Sequence, residues 1–243
     1  MMQFSEFERV MTVPRMGRYV RACNGDTDAA MDLYRLNLRL SQEMFMVIGC
    51  FEVALRNAID SHCCSQLGPD WLKESIAPGG GFDRDSNCRN TVSAIRDGLH
   101  KLNRQYAHDK LVAELGFGFW RYQFAAHQYR ATGRGLLRIF PGKPTSSAAV
   151  QYNATYVLNR LATINELRNR IAHHEPICFV RGTALKGSRN VREGYAAICE
   201  LFTWMQIDGI RPFLGMEAVA RLCDELDSQG LSAYFATESR FAP

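Results

Sequence analysis

Apolar residues recur at three- and four-residue steps along most of this chain, and the two-residue alternation of a half-buried strand is nearly absent. Between Thr145 and His173, the residues Val150, Ala154, Val157, Leu161 and Ile164 trace one helical face, and Pro176 stops the pattern. A second long run starts at Ser41 and ends at Gly68-Pro69. Gly25-Asp26-Thr27 offers a cap for a helix over Asp28–Leu36. Further helices are expected over 87–107, 109–115, 191–207 and 217–227, with an aromatic helix opened by Gly116-Phe117-Gly118-Phe119-Trp120. Residues 77–82 and 141–144, rich in Gly and Pro, read as loops. Helices with one apolar stripe bury it against other helices, so the spacing predicts an all-α bundle. One domain is expected over residues 1–215, with 216–243 as its C-terminal helix and tail.

Composition narrows the class. With 47% hydrophobic and 22% charged residues, long disorder is excluded. The most apolar stretch, Met44 to Ile59, is interrupted by Glu52, Arg56 and Asn57 and falls short of the ~18 residues of a membrane span. It reads as a core helix. Eight cysteines occur without a CxxC pair, and the first ten residues have no apolar signal core. Free thiols in a reducing cytoplasm are therefore expected. No cluster has zinc-site spacing. Cys63-Cys64 near His62 comes nearest, but adjacent thiols on a helix diverge by about 100°. No metal or cofactor is expected.

Charge is unevenly distributed. Residues 83–143 carry 11 basic and 5 acidic groups, residues 158–193 carry 7 and 3, and the tail from 194 carries 3 and 7. Of 29 basic residues, 24 are Arg, whose planar fork suits phosphate. An RNA partner and a solvated surface balanced by the tail are both compatible with this pattern. Arg130, Arg134 and Arg138 stand at i,i+4 steps, and their mutual repulsion on one helix face would be relieved by a polyanion. The aromatics Phe117, Phe119, Trp120, Tyr122 and Phe124 at helical spacing read mainly as core, with base stacking as the other use.

The densest chemistry lies at the end of the last long helix, in Asn165-Glu166-Leu167-Arg168-Asn169-Arg170-Ile171-Ala172-His173-His174-Glu175-Pro176. Arg168 can hold a phosphate and stabilise its developing charge, Asn169 can position phosphate or ribose, and a His can move a proton near neutral pH. Arg170 adds positive charge for RNA. On a continuous helix Arg168 and His173 stand about 140° apart. They converge only if the helix ends after Ala172, or if His174 does the reaching. Spacing identifies nothing by itself, because Arg56/His62, Arg121/His127, Arg168/His173 and Arg168/His174 all share it. Plainer readings also exist: His at a helix C-terminus meets the dipole, and Glu166→Arg170 is an i,i+4 pair. Glu52, Arg56, Asn57 and Asp60 form a polar stripe in an apolar helix. Glu52 and Arg56 are either an internal ion pair or a clamp supporting Arg168 or His173.

The segment Arg168-Asn169-x-x-Ala172-His173-His174 resembles the terminal signature of the Abi-like (abortive infection) family and the Arg-x4–6-His motif of the HEPN superfamily. Arg18-Tyr19, Gly25-Asp26 and Ala30-x-x-Leu33-Tyr34-x-x-Asn37-x-x-Leu40-Ser41 are similar to the family's N-terminal block. So are Glu52-Val53-x-Leu55-Arg56-Asn57-Ala58-Ile59, Gly68-Pro69-x-Trp71, Leu115 to Trp120 and Phe140-Pro141 to its later blocks. The likeness covers about residues 15–180. Leu36 departs from it, standing where a Trp is expected. The resemblance implies a HEPN-like helical bundle with additional helices, acting as a homodimer with a composite cleft. It implies metal-independent endoribonuclease cleavage by 2′-hydroxyl attack, in a toxin or anti-phage effector restrained by an antitoxin or small RNA. Arg168 and His173 would be the catalytic pair, with Asn169 beside them and His174 as a competing candidate. The alternative is a non-catalytic RNA-binding or partner-binding helical module.

Overall fold

The computed structural model of the chain describes residues 2–207, 209–210 and 215–238. Its helices are α1 (Phe4–Met11), α2 (Val13–Ala22), α3 (Thr27–Leu67), α4 (Trp71–Ser75), α5 (Arg89–Leu102), α6 (His108–Glu114), α7 (Phe117–Tyr122), α8 (Ala126–Ala131), α9 (Ala154–Ala172), α10 (Arg189–Trp204) and α11 (Glu217–Glu238). Among the described residues no strand forms, apart from an isolated bridge between Phe179 and Lys186. The fold is all-α, as the periodicity requires.

Three expectations need correction. The helices expected over 28–36 and from Ser41 are one helix of 41 residues, α3, about 60 Å long. Asp26 caps it, its Oδ1 accepting from the Asp28 and Ala29 amides at 3.0 Å. Ser41 lies mid-helix because Leu33, Leu36, Leu40, Met44 and Val47 continue one buried face past it. The helix expected from Thr145 starts only at Ala154. Before it, Ser146 Oγ and Ser147 Oγ accept from the Tyr152 and Val150 amides, a local alternative to helical bonds. Finally, Arg130, Arg134 and Arg138 do not share a helix face. α8 ends at Ala131, and Gly133 (φ 84°) and Arg134 (φ 60°) turn the chain left-handed.

The chain divides into two compact units. The first comprises 1–48, 166–196 and 209–243. Its core joins Met16 and Tyr19 of α2, the buried face of α3 and Leu167 of α9 to Ile177, Cys178 and Phe179 beyond. The Tyr19 ring lies 5.1 Å from those of Tyr34 and Phe179. Leu36, the departure from the family pattern, is a core residue, 2% exposed. Part of the acidic tail is used within this unit: Arg192 pairs with Asp224 at 2.7 Å and Asp227 at 3.0 Å, and Asp227 Oδ2 accepts from Ser188 Oγ at 2.6 Å.

The second unit comprises 49–165 and 197–208. Its core is aromatic. Phe51 meets Phe202 edge-on at 5.2 Å, Trp71 packs on Phe82, and Phe140 lies between Phe124 and Trp204. Phe117, Trp120 and Phe124 are buried, as the packing reading requires, and the buried Trp120 indole donates to the Leu115 carbonyl at 2.8 Å. Tyr122 is exposed, with Arg121 over its ring. Asp85 caps the turn before α5 and accepts from His127 Nδ1 at 2.7 Å. The His127 bond, then those from Asn87, hold the Asp85 carboxyl down at about 2. A depressed carboxyl favours folding above the ordinary carboxylate range and loses that contribution as pH falls through its folded value. The Asp85 carboxyl is thus expected to titrate near 2 in a side-chain NMR experiment, and to rise only part of the way towards its ordinary value in His127→Ala, where the two Asn87 bonds remain.

Candidate functional site

α9 carries Arg168 and Asn169 on its last turn and ends at Ala172, the condition under which Arg168 and a following His can share one side of the chain. The ending is a Schellman turn. The Glu175 amide donates to the Arg170 carbonyl at 2.8 Å and the His174 amide to that of Ile171 at 2.9 Å. His174 sits at φ 55° in the position where glycine is usual. The left-handed conformation costs a Cβ-bearing residue about 1–2 kcal/mol, against glycine's own entropic cost of about 0.5–1 kcal/mol. His174→Gly is therefore expected to stabilise the protein by about 0.5–1 kcal/mol in urea unfolding. A strained residue beside a cleft is the pattern expected where position matters more than stability.

Side chains from distant parts of the first unit hold this exit. Arg15 Nη2 donates to the His174 carbonyl at 2.6 Å and its Nε to Tyr34 Oη at 3.1 Å. Asn37, 3% exposed, accepts from the Ile177 amide at 2.8 Å and the Cys178 amide at 3.2 Å through Oδ1. Arg18 donates to the Thr183 carbonyl and lies 4.3 Å over the Phe179 ring. A cleft of about 420 Å³ opens here, walled by Arg15, Asn37, Ser41, Gln42, Phe45 and His174. Its wall also includes the Glu175 carboxylate and the apolar Leu38, Ile171 and Ala172; beside these, Arg15, His174, the amides and the half-exposed Phe45 ring are groups that contact phosphate, base edge and base face.

The residues predicted from sequence fall in different places. Arg168 and Asn169 lie near the end of α9 and His173 and His174 just beyond it, and of these four it is His174 that lines the cleft. The two His and Asn169 are exposed, while Arg168 is partly buried with Nη1 3.5 Å from Asn169 Oδ1. Arg170 does not stand open to solvent for RNA. Its guanidinium donates to the Pro176 carbonyl and lies 3.6 Å from Glu175, and burial pushes its pKa down. The expected Glu166–Arg170 pair is replaced by Glu166–Arg181 at 2.6 Å. Glu52, Arg56 and Asn57 belong to the second unit. Glu52 and Arg56 form no ion pair among the described residues, and Arg56 Nε is buried without a partner. Arg130, Arg134 and Arg138 are also in the second unit. Arg15 had no signal in the sequence: its partner carbonyl is 159 residues away. Among the described residues the group with metal-ligand chemistry is Asp60, Cys64 and His108, none of them in the cleft. Among those residues, too, no helix is long and apolar enough to cross a membrane.

Comparison with known proteins gives one match. The model of a family described as Abi-like protein matches residues 2–178. No curated protein and no solved structure was found to match the chain.

Proposed function

The chain belongs to the Abi-like protein family, and from that premise we propose that it is a metal-independent endoribonuclease of the HEPN type, an abortive-infection effector or toxin whose site is the exit of α9. The observation that carries the reading is the joint placement of Arg168, Asn169, His173 and His174 at one helix end, with His174 in the wall of a cleft. In the proposed reaction a His accepts the proton of a ribose 2′-hydroxyl. The 2′-oxygen bonds to the adjacent phosphorus, and the bond from phosphorus to the 5′-oxygen breaks. A protonated His returns the proton to that oxygen. Arg168 meets the negative charge that builds on the phosphoryl oxygens. Asn169 positions the phosphate or the ribose. The cleft wall favours His174 as the base over His173.

A homodimer with a composite cleft is part of the proposal. Leu38, Phe45 and Met46 on α3 are exposed at 50%, 50% and 39%, the first two of them in the cleft wall itself, and exposed apolar side chains at the cleft suit a second copy. Arg130, Arg134 and Arg138, all exposed, are proposed as RNA phosphate contacts, and an antitoxin or small RNA is proposed to restrain the protein.

The test is cleavage of a labelled single-stranded RNA in EDTA by wild type, Arg168→Ala, His173→Ala and His174→Ala. Loss of at least ~10²-fold is expected for Arg168→Ala and for His174→Ala, with a smaller loss for His173→Ala. If wild type and all three variants cleave alike, the site is wrongly assigned. If wild type binds RNA without cleaving it, the chain is a binding module instead.

A further inference from the structure

We propose that Asp60, Cys64 and His108 bind one divalent transition-metal ion, with zinc the best match, at a site in the second unit that is separate from the cleft at the end of α9. Asp60 and Cys64 are one turn apart on α3 and so share a face, and His108 is the first residue of α6. His108 Nε2 lies 2.7 Å from Asp60 Oδ1 and 3.7 Å from Cys64 Sγ, and Sγ lies 3.8 Å from Oδ1. Zinc bond lengths in a tetrahedral site put N, O and S donors about 3.3–3.6 Å apart. The two distances from sulfur are within a few tenths of an ångström of that range, and the third needs to open by about 0.6 Å. Thiolate, imidazole and carboxylate together select zinc and its neighbours over calcium or magnesium. Three protein donors leave a fourth position for water.

An independent observation concerns the other nitrogen of the same ring. His108 Nδ1 is buried and has no hydrogen-bond partner among the described residues, and it lies 4.0 Å from Asp70 Oδ1. A neutral His108 that donates from Nε2 to Asp60 turns a bare Nδ1 lone pair towards a carboxylate. A cation on Nε2 removes this conflict. The ring hydrogen then resides on Nδ1 and faces Asp70, which is the arrangement of a carboxylate behind a metal-bound His. Both carboxylates are already braced: Asp70 accepts from Tyr106 Oη at 2.6 Å, and Asp60 from Trp71 Nε1 at 2.7 Å. His108 and Asp60 side chains are 18% and 21% exposed, so an ion can enter. Binding costs Cys64 its proton, which leaves to solvent. Because that proton must leave, binding weakens as pH falls. The ion would tie the C-terminal part of α3 to the start of α6.

The experiment titrates the purified, chelator-stripped full chain with Co²⁺. A thiolate-to-cobalt charge-transfer band in the near ultraviolet is expected to saturate at one equivalent and to be bleached by Zn²⁺. Cys64→Ser should abolish the band. Asp70→Asn should keep it and weaken Co²⁺ binding at least tenfold. Arg168→Ala, which removes the proposed nuclease function, should leave the titration unchanged, so the two proposals stand or fall separately. Far-ultraviolet circular dichroism of each variant establishes that it is folded. Absence of a band in folded wild type, or a band that persists in Cys64→Ser, overturns the site.

Discussion

Arg168→Ala is expected to lower kcat/KM for RNA by roughly 10²–10³-fold, about 2.7–4 kcal/mol of transition-state stabilisation. The physical reason is that the pentacovalent phosphorane carries more charge on its equatorial oxygens than the ground-state diester does. A guanidinium fixed beside them contributes more in the transition state than in binding. The loss should therefore fall on kcat rather than KM. Arg168→Lys should recover only part of it, because an ammonium keeps the charge and loses the two-pronged geometry. Arg168 is partly buried, and its hydrogen bond to the side chain of neighbouring Asn169 is long at 3.5 Å. Among the described residues Arg168 makes no ion pair, so unfolding in urea should change by less than about 0.5 kcal/mol. A large kinetic effect with a small stability effect separates a catalytic residue from a structural one.

Asn37→Ala is expected to do the reverse and destabilise the protein by about 2–4 kcal/mol. Asn37 Oδ1 is the acceptor for two backbone amides, Ile177 and Cys178, both in residues with no solvent exposure. Each buried donor left without a partner costs about 1–3 kcal/mol. The adjoining cleft lets water reach part of the vacated space, which keeps the total below the sum of the two extremes. The segment it anchors follows His174 directly, so cleavage should fall as well, in proportion to the loss of ordered exit rather than of chemistry. Asn37→Asp retains both acceptors but buries a charge beside them, and an intermediate loss is expected. Urea unfolding of the three proteins checks the order wild type, Asn37→Asp, Asn37→Ala.

Local patterns carried most of the fold. The stop at Pro176 is visible in sequence, and the structure ends α9 four residues earlier, at Ala172, through a Schellman turn in which His174 takes the left-handed place. That leaves His173 and His174 outside the helix, which the spacing could state only as a condition. Ser41 misleads because serine favours caps, yet the buried face of α3 runs through it. The Arg130, Arg134, Arg138 row misleads because Gly133 and Arg134 reverse the chain after one short helix, something that a count in steps of four does not register. Partners far apart in sequence were not legible at all. Arg15 reaches the His174 carbonyl across 159 residues, and His108 reaches Asp60 across 48. No periodicity encodes either contact. The Glu166–Arg170 pair fails for a related reason: Arg181 competes for Glu166 from outside the helix, and the carbonyl of Pro176 takes Arg170.

The most direct test of the central claim is the chemistry of the product ends. RNA incubated with the wild-type protein in EDTA should yield 2′,3′-cyclic phosphate and 5′-hydroxyl termini, and a single 2′-deoxynucleotide at the cleaved position should block the cut. Products ending in 3′-hydroxyl and 5′-phosphate, or cleavage that ignores the missing 2′-hydroxyl, would contradict attack by the ribose and with it the role given to Arg168 and His174.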